Sequence, residues 1–215
     1  MRVHWGAIPA AADFHPEADG WSPIREPSPV LMQFIAVPLG VIVAGLMAGV
    51  LYFIAPRGMC GNGNGASLQS SEITVVFGSM MAVLVFFIPA HEIIHALVHP
   101  ARGRTDKTVI GIWLSRLLFY AHYEGVLSRT RFLAVLAAPF VVLSLCPIPL
   151  IVLMDVWGKW AAVEMSLTVL ALVNALASAG DVLGMLLSAW QVPAAAVVRN
   201  RGWRTYWKLP VDGSR

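Results

Sequence analysis

The sequence has little charge and almost no cysteine. Charged residues make up 13% of the 215 residues and hydrophobic residues 58%, whereas soluble domains average about 25% and about 45–50%. So little charge excludes a large water-soluble domain and favours a protein that lies in a lipid bilayer. With only two cysteines, the chain has neither a disulfide framework nor a cysteine-based zinc knuckle.

The first 29 residues lack the apolar centre of a secretory signal, because they contain four acidic residues and several prolines. We expect residues 1–29 to form a polar tail. The net charge of +3 is small, and no basic stripe is interleaved with exposed aromatic residues. Nucleic acid is therefore not expected as a partner.

Long apolar runs dominate the rest of the sequence. A helix needs about 20 apolar residues to cross the hydrocarbon core of a bilayer, and four runs are long enough: near 30–55, 73–98, 131–154 and 160–190. They lack the short alternating pattern of barrel strands, so all should be helices. The sequence predicts an all-α polytopic membrane protein with a helical membrane domain over 30–192 and a basic C-terminal tail over 193–215.

The connection between the second and third runs is less regular. Residues 109–113 and 118–120 are apolar but too short to span a membrane. They are expected to form a hairpin or a re-entrant piece. The open edge of such a hairpin could take an extended substrate by strand addition.

Lysine and arginine are distributed unevenly around the four predicted helices. Thirteen of the 15 lie before the first helix, between the second and third helices, or after the fourth; the exceptions are Arg57 and Lys159. The side of a membrane that keeps the positive charge is normally the cytoplasm. Both termini and the 100–131 connection are therefore expected to face the cytoplasm of a bacterial plasma membrane.

The pattern HExxH occurs late in the second predicted helix, as His91-Glu92-Ile93-Ile94-His95. His91 and His95 lie one helical turn apart on one face, so both imidazoles can reach one zinc ion, and the adjacent Glu92 can touch a zinc-activated water. We predict that His91 and His95 are metal ligands and that Glu92 is the general base. The alternative is that the HExxH pattern occurs by chance. Ionisable groups inside membrane helices are energetically costly, so their presence here favours a functional site over a chance match.

A catalytic zinc needs a third protein ligand and an open position. Asp181, in the fourth helix, is expected at a depth similar to that of His91, and Asn174 and Ser178 lie near the same helix face. We predict Asp181 as the third ligand. Asn174 is a candidate for binding substrate or the oxyanion, with interhelical hydrogen bonding as the alternative for Asn174 and Ser178.

These elements resemble the site-2 protease class of intramembrane zinc proteases. They are more similar to a family of small bacterial membrane proteins described as zincin peptidases, which combine HExxH, a Pro-Phe element as at Pro139-Phe140, an Asn as at Asn174, and Ser-x-Gly-Asp as at residues 178–181. The resemblance covers roughly residues 72–192 and departs from site-2 proteases in having Gly-Asp rather than Asp-Gly. It implies a site-2-protease-like zincin core and peptidase activity but no particular substrate.

His122, in the connection, could approach the metal to bind substrate or to stabilise the oxyanion. The alternative is an interfacial cluster of tyrosine and histidine. The leading functional hypothesis is a membrane-embedded zinc metalloprotease that hydrolyses membrane or membrane-proximal proteins or peptides. Two alternatives remain open: a non-proteolytic haem- or metal-binding membrane protein, and a catalytically inactive membrane scaffold.

Overall fold

The computed structural model of the protein describes residues 1–57 and 70–210. The chain is mostly helical, at 60%, with 16% strand in two sheets. The predicted helical fold with membrane-type helices is confirmed to this extent, but the two sheets mean that the chain is not plainly all-α. Residues 211–215 of the expected C-terminal tail lie outside the described residues.

The described helices follow the four apolar runs closely. In chain order they are α1 (Pro29–Ile54), α2 (Ser70–Val98), α3 (Arg129–Pro139), which continues into a π-helical segment (Phe140–Leu145), α4 (Ile148–Trp157), α5 (Ala161–Ala177) and α6 (Ala179–Gln191). Three helical stretches are long and apolar enough to cross a membrane, in the described part of the chain, and α5 with α6 would make a fourth. That pair is bent by 48°, so the fourth predicted helix is broken.

Seven short strands form two sheets in the described residues. They are β1 (Arg2–Trp5), β2 (Ser22–Pro23), β3 (Thr108–Trp113), β4 (Leu118–Tyr123), β5 (Leu127–Ser128), β6 (Val197–Arg201) and β7 (Arg204–Lys208). One sheet has the order β1-β3-β4 and the other β2-β7-β6-β5. The segments expected to be tails thus supply four strands. Strands β1 and β2 pair with strands distant in the sequence, whereas β6 and β7 form a hairpin with each other that also pairs with β5 and β2.

The hairpin expected in the irregular connection is present. Strands β3 and β4 are antiparallel, with Thr108 opposite Tyr123 and Trp113 opposite Leu118. A short 3-10 turn over Leu114–Arg116 joins them. Strand β1 pairs in parallel with the other edge of β3, so β4 is an edge strand of this sheet.

The chain divides into two compact units. The first comprises Met1–Ile35, Glu92–Ala138 and Gly180–Arg215 and contains both sheets. Its buried core consists of Ile24, Leu127, Phe132, Val135, Val192, Ala196 and Val198. Because this core combines strand residues with residues of α3, it attaches the second sheet to helical elements of the same unit.

The second unit comprises Ala36–His91 and Pro139–Ala179. Its core is built from small and aliphatic residues of α1, α4 and α5: Met47, Leu51, Ala55, Ile151, Ala171 and Ala175. Gly40 allows α1 and α5 to approach closely, since a Cβ there would lie 2.5 Å from the Leu176 carbonyl oxygen. Small residues at such crossings are typical of membrane helix packing.

Candidate metal centre

The HExxH residues lie on the buried face of α2, near its C-terminal end. His91, Glu92 and His95 are 7%, 9% and 6% exposed, whereas Ile93 and Leu97 are 47% and 54% exposed. Because an α-helix has 3.6 residues per turn, the three buried polar residues share one face of α2, and Ile93 and Leu97 lie on the opposite face. The polar residues therefore point into the protein and the apolar residues point outward.

The ring of His95 is oriented from both sides. Its Nδ1 lies 2.8 Å from the Val135 carbonyl oxygen, which can only accept a hydrogen bond, so Nδ1 carries the proton. Its Nε2 lies 3.3 Å from Oδ2 of Asp181. With Nδ1 as the donor, Nε2 is the ring nitrogen that could bind a cation together with the Asp181 carboxylate.

Asp181 is placed by the break between α5 and α6. The break falls at Ser178, and Asp181 lies in the first turn of α6. A carboxylate is favourable there because the first turn of a helix carries unpaired amide donors and partial positive charge. Its side chain keeps 20% of its surface exposed, against 7% for His95, so the predicted ligand Asp181 is more accessible than His95.

His91 is oriented by a side-chain amide rather than by the backbone. Its Nδ1 lies 2.9 Å from Oδ1 of Asn174. The Asn174 amide nitrogen donates to the Pro139 carbonyl oxygen at 3.0 Å and to Oγ of Ser144 at 2.7 Å. Since a carbonyl can only accept, these bonds fix which end of the amide faces His91, and Nδ1 must be the donor. Nε2 is then the ring nitrogen that could coordinate a metal.

The three predicted ligands converge. One ligand atom each from His91, His95 and Asp181 lie within 4.8 Å of one another. Ligands about 2.1 Å from a tetrahedral zinc lie about 3.4 Å apart, close to the 3.3 Å between His95 and Asp181. Two imidazoles and one carboxylate form a donor set suited to zinc that leaves one position open. The residues present therefore fit a catalytic zinc ion.

Two further histidines are buried in the first unit. His99 and His122 are 3% and 4% exposed, and the His99 ring lies 5.3 Å from that of Tyr123. Burial lowers the pKa of His122 to about 4. Burial, and then the neighbouring rings of His95 and His122, lower the pKa of His99 to about 4. Both rings are therefore neutral at pH 7 and can serve as hydrogen-bonding groups.

The predicted site residues fall into two groups. His91, His95 and Asp181 are brought together, and Glu92 is buried beside His91. Asn174 is 0% exposed and hydrogen-bonded to other protein groups. His122 lies on β4, and within the part of the chain that the structure describes its Nε2 has no hydrogen-bond partner. The catalytic and ligand roles of all six stay predictions.

The sequence reasoning missed two groups: Ser144 and the carbonyl of Val135. Ser144 was detectable as an isolated hydroxyl in an apolar run. The Val135 carbonyl carries no side-chain signal, so only the fold could reveal it.

Comparison with known proteins gives a family but no close relative. No curated protein and no solved structure matches the chain, and the likeness to site-2 proteases stays a prediction. A sequence model of the DUF3267 family, described as "Putative zincin peptidase", matches residues 84–197. This match spans more than half of the chain and includes His91, His95 and Asp181. The chain therefore belongs to this zincin peptidase family.

Proposed function

We propose that the protein is a membrane-embedded zinc metallopeptidase that hydrolyses peptide bonds of membrane or membrane-proximal proteins. The observation that carries the proposal is the convergence of His91 and His95, from α2, with Asp181, from α6, to within 4.8 Å. The family assignment supports the same chemistry, and the apolar helices are compatible with membrane insertion.

The residues divide the chemistry between them. His91, His95 and Asp181 would hold the zinc ion, which when bound activates a water molecule and polarises the scissile carbonyl. Glu92 takes the proton of the attacking water and passes it to the leaving amine. His122 is the proposed donor to the developing oxyanion, since Nε2 of its neutral ring has no hydrogen-bond partner among the described residues.

Asn174 is better suited to hold His91 than to contact substrate. Its amide is fully buried and bonds to His91, Pro139 and Ser144. Outer partners of this kind fix the tautomer and direction of a metal-binding histidine. We propose that Asn174 is a positioning residue, and that any role in oxyanion binding would require its amide to leave these partners.

The edge of β4 offers a way to bind an extended substrate. Within the described residues β4 pairs with β3 and with no other strand, so one row of its backbone groups is open to a further strand. Main-chain pairing would give affinity without a strict sequence requirement. His122 lies on the same strand, which would link substrate binding to the proposed oxyanion donor.

The location follows from the charge distribution. Thirteen of the 15 lysines and arginines fall on one side of the four predicted helices, the side normally kept in the cytoplasm. We propose a bacterial plasma membrane with both termini and the metal centre toward the cytoplasm.

The decisive experiment replaces Glu92. Full-length protein, purified in detergent, should contain about one zinc per chain by metal analysis and should cleave a denatured protein substrate. Glu92→Gln keeps the shape of the side chain but cannot accept a proton, so zinc should remain while cleavage falls by at least about a thousandfold. His95→Ala should lose both.

Glu17→Gln is the matched control, because Glu17 is an exposed residue of the N-terminal segment. It should keep full zinc content and activity. Wild-type protein without zinc, or cleavage that survives Glu92→Gln, would contradict the proposal. The second result would favour the non-proteolytic metal-binding alternative, and the first would favour a scaffold.

A further inference from the structure

The turn between β3 and β4 exposes large apolar side chains. Leu114 is 67% exposed and Leu117 is 87% exposed. Trp113 precedes this turn, and Arg116 lies within it with its guanidinium carbon 5.7 Å from the centre of the Trp113 ring. Trp5, at the end of β1, is 69% exposed. We call these five residues the hairpin tip.

The hairpin tip occupies one end of the three-stranded sheet. Strand β1 runs parallel to β3, and Trp5 lies opposite Ile112. Trp5 is therefore brought to the same end of the sheet as the turn. Two tryptophans, two leucines and an arginine come together here from segments more than a hundred residues apart.

Leu117 is the most unusual member of the hairpin tip. Its φ is +48°, in the left-handed region, which disfavours a residue with a Cβ by about 1–2 kcal/mol. A leucine that is 87% exposed gains little from burial within the chain to offset this cost. A contact outside the protein would account for a large apolar side chain held in this conformation.

A hydrogen bond ties the hairpin tip to the beginning of α1. The side-chain nitrogen of Gln33 donates to the Arg116 carbonyl oxygen at 3.0 Å. Helix α1 has 26 residues and is therefore about 39 Å long, which exceeds the hydrocarbon core of about 30 Å. About 4–5 Å would remain outside at each end. Gln33 lies about 6 Å from the helix start, at the edge of the hydrocarbon.

We infer that the hairpin tip is a membrane-contact element whose partner is the headgroup region of the bilayer that α1 crosses. Leu114 and Leu117 would enter the acyl boundary, the two tryptophans would lie at the level of the glycerol groups, and Arg116 would face lipid phosphates. Val30, Leu31 and Phe34, which lie within three residues of Gln33 on α1, are also exposed. The inference rests on the membrane embedding in the proposed function, but not on zinc or peptidase activity.

The test measures the depth of a spin label at the hairpin tip. Full-length protein lacking both native cysteines is placed in vesicles that contain anionic lipid, and a nitroxide is attached to Leu117→Cys. A second sample carries the label at Asp106→Cys. Asp106 is exposed and lies before the start of β3, about 25 Å or less from the turn. Collision rates are measured with oxygen, which concentrates in lipid, and with a water-soluble nickel complex.

The ratio of oxygen to nickel collisions should be several-fold higher at Leu117→Cys than at Asp106→Cys. Equal ratios would overturn the inference, because the tip would then lie in water. Low collision rates with both reagents would also overturn it, because protein, such as a second copy of this chain, would then cover the tip.

A third label separates this inference from the proposed function. Val41 is 60% exposed in the middle of α1, so Val41→Cys reports whether α1 lies in the bilayer. A high oxygen ratio at Val41→Cys with a low ratio at Leu117→Cys would reject only the membrane contact of the tip. Low ratios at both positions would reject the membrane embedding as well.

Discussion

Two histidines one helical turn apart are held by different kinds of acceptor. His95 donates to a backbone carbonyl, which no side-chain substitution removes. His91 donates to Asn174, whose own orientation depends on Ser144 and the Pro139 carbonyl. At the scale of single residues the metal centre is therefore more vulnerable at His91 than at His95.

Ser144→Ala should weaken zinc binding while leaving the ligand set intact. The substitution removes one acceptor of the Asn174 amide, so the His91 ring is held less firmly. Loss of an outer partner of this kind lowers metal affinity by about 10–100-fold, and Asn174→Ala should cost at least as much. Competition with a chelator of known affinity measures the zinc dissociation constant.

Ser188→Ala is the control for this series, because Ser188 is also a buried serine, at 3% exposure, but has no bond to the Asn174 network. Its zinc affinity should equal that of the wild type. An unchanged dissociation constant in Ser144→Ala and Asn174→Ala would show that His91 needs no such support.

Burial of His122 should make the protein sensitive to mild acid. Its pKa is lowered from 6.5 to about 4, so between these values the unfolded chain binds a proton that the folded chain does not. The stabilisation is fully present above pH 6.5 and is lost as the pH falls toward 4. Thermal unfolding in detergent should show a smaller loss of Tm over this interval in His122→Gln than in the wild type.

His15→Gln provides the comparison, because His15 is an exposed residue of the first unit. Its Tm should fall with pH as the wild type's does. Parallel curves for His122→Gln and the wild type would contradict this account of His122.

At the scale of elements, the site depends on how α2 ends. After His99 the chain enters a 3-10 turn over Pro100–Gly103, in which Ala101 and Arg102 have positive φ. Proline after a helix prevents its continuation. The turn folds back onto the last part of α2, which carries His95, so the ending of the helix and the placement of a ligand are coupled.

Gly103→Ala should destabilise this turn. Gly103 has a φ of +74°, and a Cβ there would lie 2.5 Å from the Ala96 carbonyl oxygen, too close for any side chain. We expect a loss of about 1–3 kcal/mol, the range for strain at such positions, together with weaker zinc binding because Ala96 adjoins His95. Thermal unfolding and the chelator assay measure the two effects.

Gly45→Ala is the matched substitution, because a Cβ at Gly45 meets no atom within 4 Å and the residue lies within α1. It should cause no loss of stability. A Gly103→Ala protein as stable as Gly45→Ala would mean that the turn can move without cost.

At the scale of the whole molecule, the two terminal segments contain both strands and basic residues. Residues 1–29 and 193–210 contain β1, β2, β6 and β7 and also many of the lysines and arginines. In the first unit Arg199 bonds both carboxylate oxygens of Asp13 at 3.0 Å. These terminal segments therefore form part of a folded unit, and their positive charge also favours the cytoplasmic side of a membrane.

Both termini should lie on the same, cytoplasmic side. In a background without native cysteines, Lys159→Cys should react with a membrane-impermeant maleimide on intact cells, because Lys159 lies on the side with little positive charge. Glu17→Cys should react only after the cells are opened. Labelling of Glu17→Cys on intact cells would contradict the proposed topology, because the N-terminal segment would then lie outside the cytoplasm.

The sequence by itself determined the apolar helices, the hairpin and the pair His91 and His95. These features depend on composition and on periodicity within one segment, which local physics governs. HExxH specifies its own geometry because both histidines are on one helix. The apolar runs specify helices because a backbone in hydrocarbon must bond within its own segment.

Only the tertiary structure decided the rest. Strands β1 and β2 are short, and their partners are distant in the chain, so no local pattern predicts them. Strands β6 and β7 pair with each other across a two-residue turn, but their pairing with β5 and β2 joins segments distant in the chain. The orientation of His95 depends on the Val135 carbonyl, and that of His91 on Asn174, both of which other helices supply. Asp181 could be proposed as a ligand from its depth in the fourth predicted helix. Its approach to His95 also depends on the break between α5 and α6, which places Asp181 in the first turn of α6. That break depends on packing between segments and not on the sequence within one segment.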